Sequence, residues 1–228
     1  MELNVINKNP LLLPKDMIEQ VKNLSTSLIS DAMSGFGAMD YRIKPIACGM
    51  CFAGTALTVN LKTGSNLMLH TAIAMSQHGY VLVVSGKGDI STVVIGDLMT
   101  RAAKQQGVTA IVIDGLVRDI ATLRKIGVPV FAIGAVPSAV EREGPGEINI
   151  SVACGGVSVS PGDLIVGDDD GVVVVPYAQI EYVLKVAQEK AEREKIRVEE
   201  INCGNIMPQW LKQKIEEKGL SEILKKQN

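Results

Sequence analysis

Three residues in the middle of the chain combine the side chains that bind an anion and a divalent cation. Asp97 follows a glycine, and after twenty intervening residues Arg118 and Asp119 stand side by side. Carboxylate oxygens are the ligands that hard cations such as Mg²⁺ prefer. A guanidinium holds a carboxylate or a carbonyl oxygen through paired hydrogen bonds. The three residue types therefore predict a site for an anionic substrate and a metal ion.

The apolar pattern around these residues indicates how the fold would bring them together. A strand is predicted over residues 109–113, and a loop over 114–117 would then deliver the arginine–aspartate pair. Asp97 stands at the start of a helix predicted over 96–106. Ligands of open α/β sheets bind beyond the carboxyl ends of the strands, so both parts are expected at that edge. The first helical turn also has free N–H groups that suit a carboxylate.

The same residue types have ordinary structural roles as well. Asp97 could simply cap its helix, and Asp119 could simply favour the positive end of the next helix. His70 lies within an apolar helix, so we expect it to be packed or to face a partner. The run Asp168–Asp170 before Gly171 favours a β-turn over a calcium loop, because the other spaced ligands of such a loop are missing.

Strands and helices alternate through most of the chain, which predicts an α/β fold with a partly parallel sheet. Residues 15–35 are predicted to be helical, with a second helix capped by Ser25, Thr26 or Ser27. Residues 144–176, rich in Gly, Pro and Asp, predict short strands and turns. The predicted strands of the centre are 54–61, 80–84, 109–113 and 128–133, and the predicted helices are 66–77, 96–106 and 118–126.

We divide the chain into an α/β body, residues 1–176, and a helical extension, residues 177–228. The extension contains a highly charged helix over 177–201 and an amphipathic segment over about 208–224. A helix that is polar almost all round gains little by packing on its own body. The extension is therefore expected to reach a neighbouring subunit.

Composition narrows the classes of partner. Hydrophobic residues make up 46% of the 228 residues and aromatic residues only 4%, so aliphatic side chains must build the core. The net charge is −2, without the basic face that nucleic-acid binding needs. No secretory signal or membrane-spanning segment is recognisable. A cytoplasmic protein is expected, with no nucleic-acid or membrane partner.

The spacing Asp97-x20-Arg118-Asp119 resembles the signature of class II pyruvate aldolases, a group within the RraA-like family. These enzymes act on 4-hydroxy-4-methyl-2-oxoglutarate and 4-carboxy-4-hydroxy-2-oxoadipate, and they include oxaloacetate decarboxylases. The similarity extends from about Ser25 to the tail. Its further blocks are NLMLHTAI, SGKGD, GVPVFAIG and GGVSVSPGDLIVGDDDGVVVVP, in the order of the family.

This resemblance implies a three-layer β/β/α fold of the swivelling-domain type, assembled as a trimer or as a hexamer of two trimers. It implies Mg²⁺ or Mn²⁺ as cofactor, with Asp119 as the direct ligand and Asp97 contacting the ion through water. Arg118 would contact the substrate's carbonyl and carboxylate, and Arg118 and Asp97 would be the catalytic residues. Backbone N–H groups of residues 96–99 would bind the carboxylate; these residues are Gly96, Asp97, Leu98 and Met99.

The resemblance also implies that one chain does not complete the site. In aldolases of this group an acidic residue from the neighbouring subunit's C-terminal helix contacts the metal through water. Glu194 matches that position best, because the following Lys195, Ile196 and Arg197 fit the pattern. Glu192 is the alternative.

The implied reaction is cleavage of a 4-hydroxy-2-oxo acid to pyruvate, decarboxylation of oxaloacetate, or both. Each releases a pyruvate enolate, so each needs groups such as a metal ion and Arg118 that polarise the 2-oxo group. The other interpretation is an RraA-type regulator that binds and inhibits a ribonuclease, without catalysis. The intact trio and the long extension with Glu194 favour the enzyme.

Overall fold

The computed structural model describes residues 4–220, in which strands and helices alternate along the chain. The elements, in chain order, are β1 (Val5–Ile6), α1 (Lys15–Val21), α2 (Thr26–Ala32), β2 (Lys44–Pro45), β3 (Phe52–Leu61), α3 (Leu67–Met75), β4 (Tyr80–Ser85), β5 (Val93–Ile95), α4 (Asp97–Gln105), β6 (Ala110–Val117), α5 (Ile120–Ile126), β7 (Val130–Ala135), β8 (Gly146–Ile148), β9 (Val152–Cys154), β10 (Val157–Val159), β11 (Leu164–Asp168), β12 (Gly171–Val175), a 3₁₀ turn (Tyr177–Gln179), α6 (Ile180–Asn202) and α7 (Gln209–Glu217).

A mixed sheet forms the centre of the body. Its strands run in the order β1-β8-β3-β4-β6-β7-β2, and β3, β4, β6 and β7 are mutually parallel. The short strand β5 pairs in parallel with the end of β6. Strand β11 pairs antiparallel with both β3 and β12. Strands β9 and β10 form a separate two-stranded sheet. The predicted alternation of strands and helices is confirmed.

Side chains on the central strands alternate between two hydrophobic cores. In β4, Leu82 and Val84 pack with α3, α4 and α5, whereas Val81 and Val83 pack with β9–β12. These four side chains are fully buried, which explains why residues 81–84 are all apolar. Helices cover one face of the sheet and strands cover the other. The predicted three-layer β/β/α body is thereby confirmed.

The segment 114–117 was predicted to be a loop, and this prediction was wrong. β6 continues through Val117, after an irregularity in its pairing with β7 between Ile113 and Leu116. Asp114 and Gly115 are typical turn residues, but here they belong to this irregularity. Leu116 and Val117 are buried and pair with β5 and β7, which restores the strand. The short β5 was not predicted.

The N-terminal helical region consists of two helices, α1 and α2, as predicted. The hydroxyl of Ser25 caps α2 by accepting a hydrogen bond from the Leu28 N–H at 3.2 Å. Of the three proposed capping residues, Ser25 is therefore the one that caps. At the other end of the segment, Gly35 and Gly37 have positive φ angles of 86° and 83°, which a helix cannot accommodate.

The chain divides into two compact units between Ala187 and Gln188. The second unit contains the rest of α6, which ends at Asn202, and α7. The predicted helical tail is confirmed, although its last predicted residues, 221–224, lie outside the described part. Between residues 4 and 220, no helix combines the length and apolar character needed to cross a bilayer.

Candidate functional site

One cavity of about 430 Å³ lies where several parallel strands end. Apart from the short strand β5 itself, each segment that lines it follows the carboxyl end of one of these strands. Residues of α3 follow β3, the start of α4 follows β5, the arginine–aspartate pair follows β6, and the loop 136–145 follows β7. This is the sheet edge at which ligands of α/β proteins bind. The lining residues used below are Asn66, His70, Gly96, Asp97, Leu98, Met99, Arg118, Asp119 and Arg142.

Pairing of β5 with β6 brings the two parts of the predicted site together. The Arg118 N–H donates to the Ile95 carbonyl at 3.0 Å, so Gly96 lies directly beside the end of β6. A Cβ atom on Gly96 would stand 2.6 Å from Asp119 Oδ2 and 3.2 Å from Arg118 Cγ and Nε. Only a residue without a side chain leaves room for both groups. The distant segments of the sequence therefore meet as predicted.

Asp119 has an unusual backbone conformation at the point where the chain leaves β6. Its φ of 63° and ψ of 32° are left-handed, a region that aspartate tolerates better than most residues. Its side chain makes no capping hydrogen bond to α5. Instead, Oδ2 accepts the Asp97 N–H at 3.2 Å. The carboxylate is thus turned toward the start of α4, away from the helix that it precedes.

The first turn of α4 provides backbone donors beside this carboxylate. Gly96, not Asp97, is the N-cap residue, and no side chain caps the helix. The N–H groups of Leu98 and Met99 have no hydrogen-bond partner within the described part of the chain. An α-helix leaves its first N–H groups without internal partners, and they favour a negative charge. A carboxylate of a bound molecule could accept hydrogen bonds from them.

Arg118 is held from one side and open on the other. Its Nη1 donates to the Ser138 carbonyl at 3.1 Å, and its Nε lies 3.6 Å from Asp119 Oδ2. The Ser138 hydroxyl in turn accepts the Val93 N–H at 3.0 Å, which fixes the loop against β5. With 45% of its side chain exposed, the guanidinium retains donors for a bound anion. The contribution of Ser138 was not predicted from the sequence.

The donor set of the cavity fits a magnesium-type ion better than a zinc-type ion. Asp97 and Asp119 offer partly exposed carboxylates, and the Gly96 position leaves space beside Oδ2 of Asp119. Mg²⁺ keeps several waters and takes one or two protein carboxylates, and Mn²⁺ prefers the same oxygen donors. Structural zinc sites need four ligands, commonly Cys and His. No cluster of three His, Cys, Asp or Glu side chains suited to a metal occurs in residues 4–220.

Three other polar residues line the cavity, and a shared role for them was not predicted. Asn66 is buried, and its amide nitrogen donates to the Val94 carbonyl at 3.1 Å. Its Oδ1 has no partner within the described residues. His70 and Arg142 also line the wall. His70 was expected to be packed or to face a partner, but it borders the cavity. Its place one turn after Asn66 in α3 was the available signal.

Glu194 and Glu192 belong to α6, in the second compact unit. Glu194 Oε1 lies 3.9 Å from Lys190 Nζ, and Glu192 Oε1 lies 2.5 Å from Lys195 Nζ. Both carboxylates are exposed, with 55% and 68% of their side chains accessible. Ion pairs of this kind along an exposed helix contribute little to stability. The role predicted for Glu194 stays a prediction.

Fold and cavity together define a three-layer α/β protein with a cavity at the carboxyl edge of its sheet that is lined by two carboxylates and an arginine. The model of the RraA-like family, described as Aldolase/RraA, matches residues 26–174. The chain belongs to this family, as its sequence blocks predicted. A Halalkalibacterium halodurans protein named "Putative 4-hydroxy-4-methyl-2-oxoglutarate aldolase" is 38% identical over 192 residues, which cover 84% of this chain and 91% of that protein.

Solved structures with the same fold carry different descriptions. An uncharacterized protein from Pseudomonas syringae pv. tomato superposes with a TM-score of 0.77 at 28% identity, covering 84% of this chain and 91% of that one. The RNA-processing inhibitor RraA from Thermus thermophilus superposes with a TM-score of 0.62 at 29% identity. That match covers 67% of this chain and 92% of the inhibitor.

Proposed function

We propose that the protein is a divalent-metal-dependent carbon–carbon lyase that releases pyruvate from 4-hydroxy-2-oxo acids, from oxaloacetate, or from both. One observation carries the proposal: Asp97, Arg118, Asp119 and the unpaired N–H groups of Leu98 and Met99 line a single cavity. The name of the H. halodurans relative supports an aldolase in particular. We further propose that the enzyme works in the cytoplasm as a trimer or as a hexamer of two trimers.

Different residues around the cavity are proposed to bind the substrate and to activate its carbonyl group. We assign the C1 carboxylate of the substrate to the N–H groups of Leu98 and Met99, where the positive end of α4 favours an anion. Arg118 donates to the 2-oxo oxygen and stabilises the negative charge that develops there. Asp119 is proposed to bind Mg²⁺ or Mn²⁺ directly and Asp97 through water. When bound, such an ion polarises the same carbonyl as a Lewis acid.

Both proposed reactions break the bond between C3 and C4 and use the same electron sink. The electron pair of that bond moves to C3 and is delocalised onto the 2-oxo oxygen as an enolate. In a 4-hydroxy acid, the C4 hydroxyl gives its proton to solvent water in the open cavity, and C4 becomes a carbonyl carbon. In oxaloacetate, the C4 carboxylate leaves as CO₂. In both reactions a proton from solvent is then added to C3, which gives pyruvate. The stabilisation that Arg118 supplies is needed in both reactions, so one site can serve both.

The proposal is tested by measuring pyruvate release from oxaloacetate and from a panel of 4-hydroxy-2-oxo acids. We expect turnover with Mg²⁺ or Mn²⁺, loss of turnover with EDTA, and recovery when the metal is returned. Arg118→Ala is expected to lower kcat/KM about 10²- to 10³-fold, because the removal of one donor to a developing oxyanion has an effect of about that size in other enzymes. Arg124→Lys, on the exposed side of α5, is the matched control and should leave kcat/KM unchanged. Absence of metal-dependent release from the whole panel would reject the enzyme.

The likeness to the Thermus RNA-processing inhibitor supports one alternative, a ribonuclease-binding regulator without catalysis. The match to that inhibitor covers 92% of the inhibitor but only 67% of this chain. The present chain therefore has additional residues that such a regulator does not require. If wild-type protein releases no pyruvate but inhibits a ribonuclease, the alternative replaces the enzyme.

A further inference from the structure

Asn66 precedes α3 at the position where a side chain commonly caps a helix, but its own side chain does not cap. Asparagine is among the best residues at this position, because its side-chain oxygen accepts an N–H of the first turn. The Asn66 side chain makes no such hydrogen bond. It is 3% exposed and lines the cavity instead. The amide is therefore used for contacts beyond its own helix.

The amide nitrogen of Asn66 contacts the β5–α4 connection at both of its ends. Nδ2 donates to the Val94 carbonyl at 3.1 Å and to Met99 Sδ at 3.2 Å. Val94 belongs to β5 and Met99 to the first turn of α4, so the two contacts enclose residues 95–98. Both partners are acceptors, which determines which end of the amide faces them. One side chain thus holds the segment that presents the N–H groups of Leu98 and Met99.

The backbone of Asn66 is itself fixed on two sides. Its N–H donates to the Glu141 carbonyl at 3.1 Å, and its carbonyl accepts the His70 N–H at 3.1 Å. The loop that follows β7 and the first turn of α3 are therefore joined to β5 and α4 through this one residue. A side chain anchored in this way can hold another segment in place.

The other end of the amide has no such contact. Oδ1 of Asn66 is buried and has no hydrogen-bond partner within the described residues. A buried acceptor without a partner lowers stability. An apolar side chain of similar size would avoid that cost, although it would give up the donor to the Val94 carbonyl. Local choices that stability does not favour are typical of functional sites.

We propose that Asn66 is a positioning residue that holds Val94 and Met99, so that the first N–H groups of α4 stay in place for the carboxylate of the bound acid. The inference rests on the proposed function and adds a residue to that site. Asn66 acts through the backbone of α4 and does not touch the reacting atoms. The N–H groups bind the C1 carboxylate before and during the reaction alike, so their displacement weakens binding more than chemistry. The expected result is a higher KM at nearly unchanged kcat.

Asn66→Leu tests the inference, because leucine has a similar size and cannot donate. With oxaloacetate or the best 4-hydroxy-2-oxo acid of the panel, we expect KM to rise about tenfold and kcat to stay within about twofold. The Kd of pyruvate, the proposed product, should rise by the same factor when it is measured calorimetrically with Mg²⁺ present. Asn66→Ser suits the start of a helix but is too short to reach either acceptor, so it should give the same increase even if Asn66→Leu fails to fold.

Thr58→Val is the matched control. Thr58 is fully buried outside the cavity wall, and its hydroxyl donates to the Ile150 carbonyl, so this variant also removes one buried donor to the backbone. It should lower the melting temperature by a few degrees and leave KM and the pyruvate Kd unchanged. If the Asn66 variants lose only stability or apparent kcat, with KM and Kd as in wild type, the inference is wrong although the lyase stands. If wild type neither cleaves any of the acids nor binds pyruvate, the proposed function fails, and this inference fails with it.

Discussion

At the scale of single residues, the site depends on a position without a side chain. Gly96 has a φ of −133° and a ψ of −163°, an extended conformation that any residue adopts. Its importance is therefore spatial: a Cβ would meet Asp119 Oδ2 at 2.6 Å, closer than real contacts allow. The absence of a side chain at Gly96 is what lets the Asp119 carboxylate reach the first turn of α4.

Gly96→Ala is expected to lower pyruvate release by at least tenfold with little loss of stability. The added methyl group needs no change of backbone but must displace Asp119 or Arg118, and misplacement by about 1 Å has large effects on catalysis. Gly134→Ala is the matched control, because its Cβ would meet only Leu116 Cδ2, at an ordinary 3.4 Å. Steady-state kinetics and thermal unfolding of both variants check this. Equal activity of the two variants would contradict the spatial role.

Asp119 combines a charge with a left-handed backbone, and two substitutions separate these properties. Asparagine also tolerates positive φ, so Asp119→Asn is expected to lower kcat/KM by orders of magnitude while stability is kept. Asp119→Ala should lose the same activity and, in addition, about 1 kcal/mol of unfolding free energy. Urea unfolding and the pyruvate assay distinguish the two. If Asp119→Asn were fully active, the carboxylate would not bind the metal.

At the scale of elements, Asp168 joins the first turn of α2 to the β11–β12 hairpin. Its two carboxylate oxygens accept the Thr26 N–H and hydroxyl at 2.8 and 2.7 Å, and also the Asp170 N–H at 2.9 Å. The run of three aspartates thus lies in the turn of the β11–β12 hairpin, and the predicted β-turn is confirmed. Hydrogen bonds to a charged acceptor are among the stronger ones.

Asp168→Ala is expected to lower the unfolding free energy by about 1–3 kcal/mol, since three donors lose their charged acceptor. Asp169→Ala is the natural comparison, because within residues 4–220 the Asp169 carboxylate accepts a single hydrogen bond, from the exposed Gly49 N–H at 2.8 Å. That variant should lose less than about 1 kcal/mol. The measurement is the urea concentration at the midpoint of unfolding, compared between variants whose unfolding free energies depend on urea with the same slope. Similar losses for both variants would mean that α2 is held by packing alone.

Elements were predictable from the sequence where apolar periodicity is long, and less so where it is interrupted. The buried strands β4 and β7 and the helix α4 follow directly from their patterns. The end of β6 could not be predicted in this way. Asp114 and Gly115 are typical turn residues, and the sequence does not show which strands pair with Leu116 and Val117. Pairing with β5 and β7 decides the outcome there, and such pairing is not local information.

The residues of the candidate site also differ in whether the sequence could predict them. The trio of Asp97, Arg118 and Asp119 could be predicted because each follows a recognisable element and their spacing matches a family. Arg142 and Asn66 could not, because they lie on segments that meet only through the bridge between Ser65 and Glu141. Residues that a sheet edge gathers from separate loops have no common signal along the chain.

At the scale of the whole molecule, we expect the complete site to need residues from two chains. The cavity holds two carboxylates, and the third acidic residue predicted for it, Glu194, lies in the second compact unit. We expect this glutamate to act on a neighbouring subunit in a ring of three. In a cyclic assembly each subunit then gives its tail to one neighbour and receives the tail of the other.

Mixed assemblies test this expectation. Arg118→Ala and Glu194→Ala should each be inactive or nearly so as pure assemblies. Refolded together in equal amounts, they should regain about a quarter of the wild-type activity, because one site in four joins an intact cavity to an intact tail when subunits mix at random. Glu192→Ala replaces Glu194→Ala in a parallel series and identifies which glutamate is needed. If each site uses its own tail, every site carries one of the two substitutions and no mixture regains activity, whereas an active pure Glu194→Ala assembly would exclude Glu194 from the site.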